Sequence, residues 1–273
     1  GFGAEKFTAW GTEICGQSGH VGTPLLKRSF LCLLGLSILQ IKSFPKVIME
    51  KFVGLLVHPG MHRREVLACF HRYYKWIKGF SDDKWISWKK ADDIRDELLI
   101  ASLLMGPCYS NIRWPVDTEI SCTDATPSSG GAVKACVSKR LAQEIFRSVE
   151  TKGAHVRLER PDSPLVPCVP CARPMDPVIC ELVRCIGWRT TRSHYFTSTR
   201  HVNLQEMEEM ICEVKERVAD KGLEGLRVVN LADSQVAIGA WAKGRSSAFT
   251  LNGSLRRAAS WQILGRKRLY NSF

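Results

Sequence analysis

Two short apolar stretches, each carrying one aspartate, constrain this chain more than any other feature. The first is Ile120-Ser121-Cys122-Thr123-Asp124-Ala125, and the second, far along the chain, is Val228-Val229-Asn230-Leu231-Ala232-Asp233-Ser234. Both read as buried strands. A carboxylate carried into an apolar setting is costly unless something compensates its charge. Strands laid side by side bring the two acids to one point, where a divalent cation offsets their repulsion. Between them, His201-Val202-Asn203-Leu204-Gln205-Glu206-Met207 reads as a helix start carrying a third acid. Asp124, Glu206 and Asp233 are therefore the expected metal ligands and catalytic residues.

Each of the three also has a local alternative. Asp124 can initiate a turn ahead of Pro127. Asp233 can be no more than the N-cap of the helix that follows it. Asn203 and Glu206 form a capping-box pattern, with Val202 and Met207 as its hydrophobic staple. Helical periodicity helps choose among the glutamates of this segment. Leu204, Met207, Ile211, Val214 and Val218 define the apolar face, which sends Glu209 and Glu213 to solvent. Glu206 and Glu208 fall at its two borders, and Glu206 is the one chosen. The order strand acid, helix-start acid, strand-end acid, then a helix favours a set over three separate local jobs.

Upstream the pattern differs. Phe7-Thr8-Ala9-Trp10-Gly11 and Val21-Gly22-Thr23-Pro24 flank a Gly-rich turn and suggest one long-looped hairpin. Helices are expected from Pro24, from Pro45 up to His58-Pro59-Gly60, from near Met61 to Gly79, and from Asp92 to Gly106-Pro107. The third carries Arg63, Arg64, Arg72, Lys75 and Lys78, which suit a phosphate-contacting face or equally a solvated one. His58 and His62 are four apart but Pro59 lies between them, and neither is taken as a zinc ligand. From about 116 the pattern turns to strands at 118–124 and 132–137, a helix at 140–151 and a strand at 155–158. Residues 161–177 hold six of the chain's twelve prolines and read as an inserted loop. A strand at 188–197, a helix from Asn203 to Lys221, a strand at 226–232 and short helices at 234–243 and 252–261 complete the reading. The fold class is thus α/β: a mixed sheet with flanking helices over 116–273, with a Pro/Cys-rich insertion at about 159–187, preceded over 1–115 by a mainly helical segment with an N-terminal β-hairpin.

A net charge of +12 and a pI near 9.3 point to a polyanionic partner, most often nucleic acid. The eleven cysteines sit scattered in apolar runs, as reduced thiols do in an intracellular protein of the cytoplasm or nucleus. Cys168-Val169-Pro170-Cys171 with Cys180 and Cys185 has a zinc-like first pair, but the wider second pair favours free thiols. The longest apolar stretch, residues 30–41, is too short for a bilayer and is broken by Gly35 and Ser37, so no membrane role is expected.

Three motifs carry a family resemblance: Thr-Asp-Ala-x-x-x-x-Gly-Gly-Ala-Val from Thr123, Val-Asn-Leu-Gln-Glu-Met-Glu from Val202, and Leu-Ala-Asp-Ser-Gln-Val-Ala-x-Gly-Ala-x-Ala-Lys-Gly-Arg-Ser-Ser from Leu231. Together they resemble the RNase H domain of a retroelement reverse transcriptase of the DIRS-like or LTR kind. Phe7–Gly11 resembles the primer-grip hairpin of such polyproteins, and His-Pro-x-x-His-Arg-Arg-Glu from His58 their thumb and connection region. The resemblance implies hydrolysis of the RNA strand of RNA–DNA hybrids with two Mg2+ (or Mn2+) ions. Asp124 would bridge the ions, with Glu206 and Asp233 supporting one each. It implies partners in the hybrid and in the rest of the polyprotein. Lys243, Arg245, Arg256 and Arg257, with Arg266, Lys267 and Arg268, would hold the hybrid's backbone, as would Arg63 and Arg64. Two departures stand out. The family has a fourth acid on a later helix, and no Asp or Glu follows Asp233 here, so the nuclease reads as C-terminally incomplete. Ser81-Asp82-Asp83 lacks the apolar strand that a polymerase's metal-binding acids need. The alternative is therefore a non-catalytic nucleic-acid-binding remnant. A strand transferase on the same fold would also want a late acid.

Overall fold

A computed structural model describes residues 5–151 and 177–273. The expected strand at 155–158, nearly all of the Pro-rich loop, and Cys168 and Cys171 lie outside the described residues. The chain divides into two compact units, Gly1–Trp114 and Pro115–Phe273.

In the first unit β1 (Lys6–Ala9), β2 (Thr12–Cys15) and β3 (His20–Gly22) form an antiparallel meander. The expected N-terminal hairpin is present, but the stretch read as its long loop holds a further strand. Trp10 and Gly11 both take positive φ (47° and 74°), as a two-residue hairpin turn requires, so Thr12–Cys15 is a strand of its own. Two prolines set helix starts as expected: α1 (Leu25–Ile38) follows Pro24, and β4 (Ser43–Pro45) leads directly into α2 (Lys46–Gly60). The third expected helix is broken. Arg64–Phe70 winds as a 3-10 helix before α3 (His71–Ile77), because Glu65, Val66, Ala68, Cys69 and Phe70 are all buried, more than one α-helical face can hold. β5 (Trp85–Ser87) pairs with β4, α4 (Asp92–Leu104) follows, and β6 (Ser110–Asn111) closes on β3.

The second unit is a mixed five-stranded sheet. Its strands are β7 (Glu119–Ala125), β8 (Ser129–Cys136), β9 (Arg189–Tyr195), β10 (Leu226–Leu231) and β11 (Lys267–Ser272), in the order β11-β10-β7-β8-β9. β7, β8 and β9 are antiparallel, whereas β10 runs parallel to both β7 and β11. The two aspartate-bearing segments are therefore neighbours, with Asn230 opposite Ser121 and Leu231 opposite Cys122. On one face α5 (Lys139–Arg147) closes a core of Ile120, Ile145, Val149 and Val229, against which Ile179 and Val183 of α6 (Pro177–Arg184) pack. α7 (Val202–Lys221) lies along β7 and β8 and packs on α9 (Phe249–Leu264), while α8 (Gln235–Lys243) donates Trp241 Nε1–H to Leu269 of β11. The mixed α/β class is the one the sequence predicts. Among the described residues no helix is long and apolar enough to cross a membrane.

β11 is an element that the sequence reading lacks. Lys267, expected on a basic surface, is fully buried in this strand. Its ammonium donates to the carbonyls of Gly222 (2.8 Å), Glu224 (2.5 Å) and Gly265 (3.4 Å), where α7 and α9 end. A lysine satisfied by three carbonyls is a helix-end clamp, and it is not available to a phosphate.

Candidate metal centre

Asp124 lies inside β7, opposite Gly131 of β8, and not in the turn that follows. By strand alternation it shares a face with Ile120 and Cys122. Asp233 stands just past the end of the parallel neighbour β10. The N-cap of α8 is Ser234, whose hydroxyl accepts the Ala237 N–H (3.3 Å), so Asp233 is not spent on capping. Glu206 is likewise free of its local alternative. The N-cap of α7 is His201, which accepts the Asn203 N–H (3.3 Å), and the Asn203–Glu206 capping box does not form. Instead Glu206 Oε1 accepts the Ala125 N–H at 3.2 Å, tying the first turn of α7 to the end of β7.

Each of Asp124, Glu206 and Asp233 offers one carboxylate oxygen to a group in which all lie within 4.8 Å of one another. Among the described residues no other set of three metal-ligating side chains meets this way. The two aspartates are exposed and Glu206 is buried. Burial pushes the Glu206 carboxyl up to about 7; the Ala125 N–H opposes this, and the charges of Asp233 and Asp124 add to it. Burial, then the same three carboxylates, also push the Cys122 thiol up. Glu206 Oε2 is buried with no hydrogen-bond partner among the described residues. An orphaned carboxylate oxygen beside two more carboxylates fits a cation, and an all-oxygen donor set fits a hard one such as Mg2+ or Mn2+.

The rest of α7 sharpens the point. Glu209 and Glu213, expected in solvent, are fully buried against the sheet, because strand cations meet them there. Arg192 of β9 holds Glu209 (2.9 Å) and also Glu216; Lys134 of β8 holds Glu213 (3.4 Å) and Glu216 (2.9 Å). Arg217 is enclosed by Asp117 (3.1 Å), Glu213 (2.7 Å) and Glu119. Glu208, the other border candidate, pairs outward with Arg257 at 2.7 Å. Among the described residues Glu206 is thus the one glutamate of the sheet-facing row 206, 209, 213, 216 without a basic side chain against it. The sequence reading missed this row because only apolar residues were counted as inward-facing.

The expected phosphate-contacting residues divide. Arg245 and Arg257 are exposed, and Lys243, Arg256 and Arg64 are half-buried. Arg63 is 1% exposed, bound to Glu65 (3.1 Å) and set over the Trp114 ring, so it cannot reach a phosphate and that assignment is corrected. Cys185 is exposed and Cys180 half-buried.

No family model matches the sequence, and no curated protein matches it. A solved structure of the foamy viral protease-reverse transcriptase in complex with an RNA/DNA hybrid is similar to this chain at 12% identity and a TM-score of 0.30. The match covers 98% of this chain and 29% of that one, so this chain spans under a third of its length. A likeness that slight carries no argument for either fold or activity.

Proposed function

We propose that the chain carries an RNase H-type nuclease centre of a retroelement reverse transcriptase polyprotein, hydrolysing the RNA strand of RNA–DNA hybrids. The observation that supports it is Glu206. It is buried, lacks a cation that its three neighbours in the same row have, and faces two exposed aspartates within 4.8 Å. Asp124, Glu206 and Asp233 would hold the Mg2+ or Mn2+ ions, two in number by the family resemblance. Bound there, the ions would supply activation of water and charge stabilisation at the leaving 3′ oxygen. Glu206, anchored on Ala125 N–H, fixes the inner wall of the site. Asp124 and Asp233 present their oxygens to solvent, where a phosphodiester arrives. Lys243, Arg245, Arg256 and Arg257, on the same unit as the carboxylates, would contact its backbone, giving affinity without sequence preference.

The test is cleavage of end-labelled RNA in a hybrid with Mg2+ or Mn2+. Asp124→Asn is expected to lower the rate by at least about a hundredfold, since the ligand set is broken. Cleavage by the variant at the parental rate would end the assignment. Hybrid binding without cleavage in the parent would favour the non-catalytic remnant.

A further inference from the structure

We propose that Arg192, on the edge strand β9, is a positioning residue for Glu206. What Glu206 is positioned for rests on the metal-site reading above; the positioning itself does not. Arg192 binds Glu209, the glutamate next to Glu206 in the row, which His194 also approaches at 3.3 Å. Its guanidinium donates from Nε to Glu209 Oε2 (3.0 Å), from Nη2 to the Glu209 main-chain carbonyl (3.2 Å), and from Nη1 to Glu216 Oε1. One rigid fork thereby spans two turns of α7 and grips both side chain and backbone, which fixes the helix along its axis and about it. Glu209 is one helical turn from Glu206.

Two features of the sheet are built around this grip. The β8–β9 register slips by one residue between Ala132 and Val133, with Ala132 opposite Arg192 and Val133 opposite Thr190. Ala132 and Lys134 alternate onto one face of β8, so Arg192, opposite Ala132, and Lys134 both meet the glutamates of α7, and the slip falls beyond Arg192 on the Thr190 side. Gly130 of β8 leaves the seat for the Glu209 carboxylate. A Cβ at this position would lie 2.4 Å from Glu209 Oε1. Gly130 is also the residue opposite Ala125, whose N–H holds Glu206. The line runs from Arg192 to Glu209 over Gly130, then one turn back along α7 to Glu206 and across to Ala125.

The readout is the backbone amide of Ala125, observed by NMR in the metal-free protein. In Arg192→Ala its hydrogen-exchange protection is expected to fall about tenfold or more relative to the parent, with an upfield proton shift as the bond to Glu206 lengthens. Lys134→Ala, which breaks the far end of the same row, is the control: it lowers stability but leaves the Ala125 amide in place. Should Arg192→Ala fail to fold, Arg192→Lys is read instead. It keeps one charge, cannot span Glu209 and Glu216 together, and is expected to shift the same amide. An unchanged Ala125 amide in a folded Arg192 variant, or an equal change in Lys134→Ala, overturns the proposal. Mn2+ titration followed by electron paramagnetic resonance then separates the two readings. Weaker binding in Arg192→Ala connects the positioning to the metal. No Mn2+ binding in the parent sinks the metal reading and leaves the positioning standing.

Discussion

The Glu206 carboxyl sets a pH dependence whose sign follows from its burial. Its pKa rises from 4.5 to about 7 on folding. Below 4.5 both folded and unfolded chains carry the proton, and stability is undiminished. Between 4.5 and about 7 the unfolded chain gives it up while the folded one keeps it, so stability falls as pH rises through that window. Above it the cost is complete, on the order of 3 kcal/mol for a shift of this size. Urea unfolding in chelator should show this loss in the parent, and Glu206→Gln should flatten it. At pH 8, millimolar Mg2+ should restore stability to the parent and not to Glu206→Gln, because only an ionised ligand set binds the folded state. Equal Mg2+ stabilisation of the two proteins would mean that Glu206 is not a ligand. The residue was legible in the sequence from its place in the order of acids. That its capping role is unused was not, because Asn203 is the cap that residue type favours, whereas the helix begins earlier with His201 as its N-cap.

At the scale of elements, the row of glutamates on α7 shows why charge misleads a reading based on apolar periodicity. Glu209, Glu213 and Arg217 are fully buried, each paired with a group of opposite sign from the sheet or the same helix. Removing one partner of such a group leaves the others uncompensated, which is far costlier than losing a surface pair. Arg217→Ala strands Asp117, Glu119 and Glu213 together and is expected to cost about 3–5 kcal/mol in chemical denaturation. Arg147→Ala, whose pair with Glu144 is exposed on α5, should cost under about 1 kcal/mol. Similar losses for both would show that the buried row is worth no more than a surface pair. Gly130→Ala, whose Cβ would sit 2.4 Å from Glu209 Oε1 and 2.8 Å from Phe196, is expected to cost about 1–3 kcal/mol by overpacking. The same blindness hid β11. Its Lys267-Arg268-Leu269-Tyr270 alternates in burial as a strand does, but the alternation is carried by a lysine that only carbonyls from two helix ends make tolerable. Strands β7 and β10 were readable because most of their buried residues are apolar or small, and because a lone aspartate, within β7 and just past β10, was out of place.

Over the whole molecule, the excess of +12 has consequences that no single contact carries. Basic residues tied into buried pairs contribute to that sum yet not to binding: Arg63, Arg217 and Lys267 are each at or below 1% exposed. What can meet a phosphate is the surface fraction, of which Arg245 and Arg257 are exposed examples on the same unit as the carboxylates. If hybrid binding runs through such residues, the logarithm of the binding constant should fall linearly with the logarithm of salt concentration. Each phosphate contact removed should then lower the slope by about one unit, somewhat less for duplexes. Arg245→Ala is expected to lower the slope by about that amount and to weaken binding alike for hybrids of unrelated sequence. Arg257→Ala should do less, since part of its charge is already answered by Glu208 at 2.7 Å. Fluorescence anisotropy across a salt series measures both. Arg63→Met serves as the control that distinguishes surface from buried charge. It removes the same formal charge, yet it should leave the slope unchanged, because a guanidinium bound to Glu65 releases no counterion from the nucleic acid. A slope that fell equally in all three variants would make net charge, and not the placement of surface arginines, the source of the affinity.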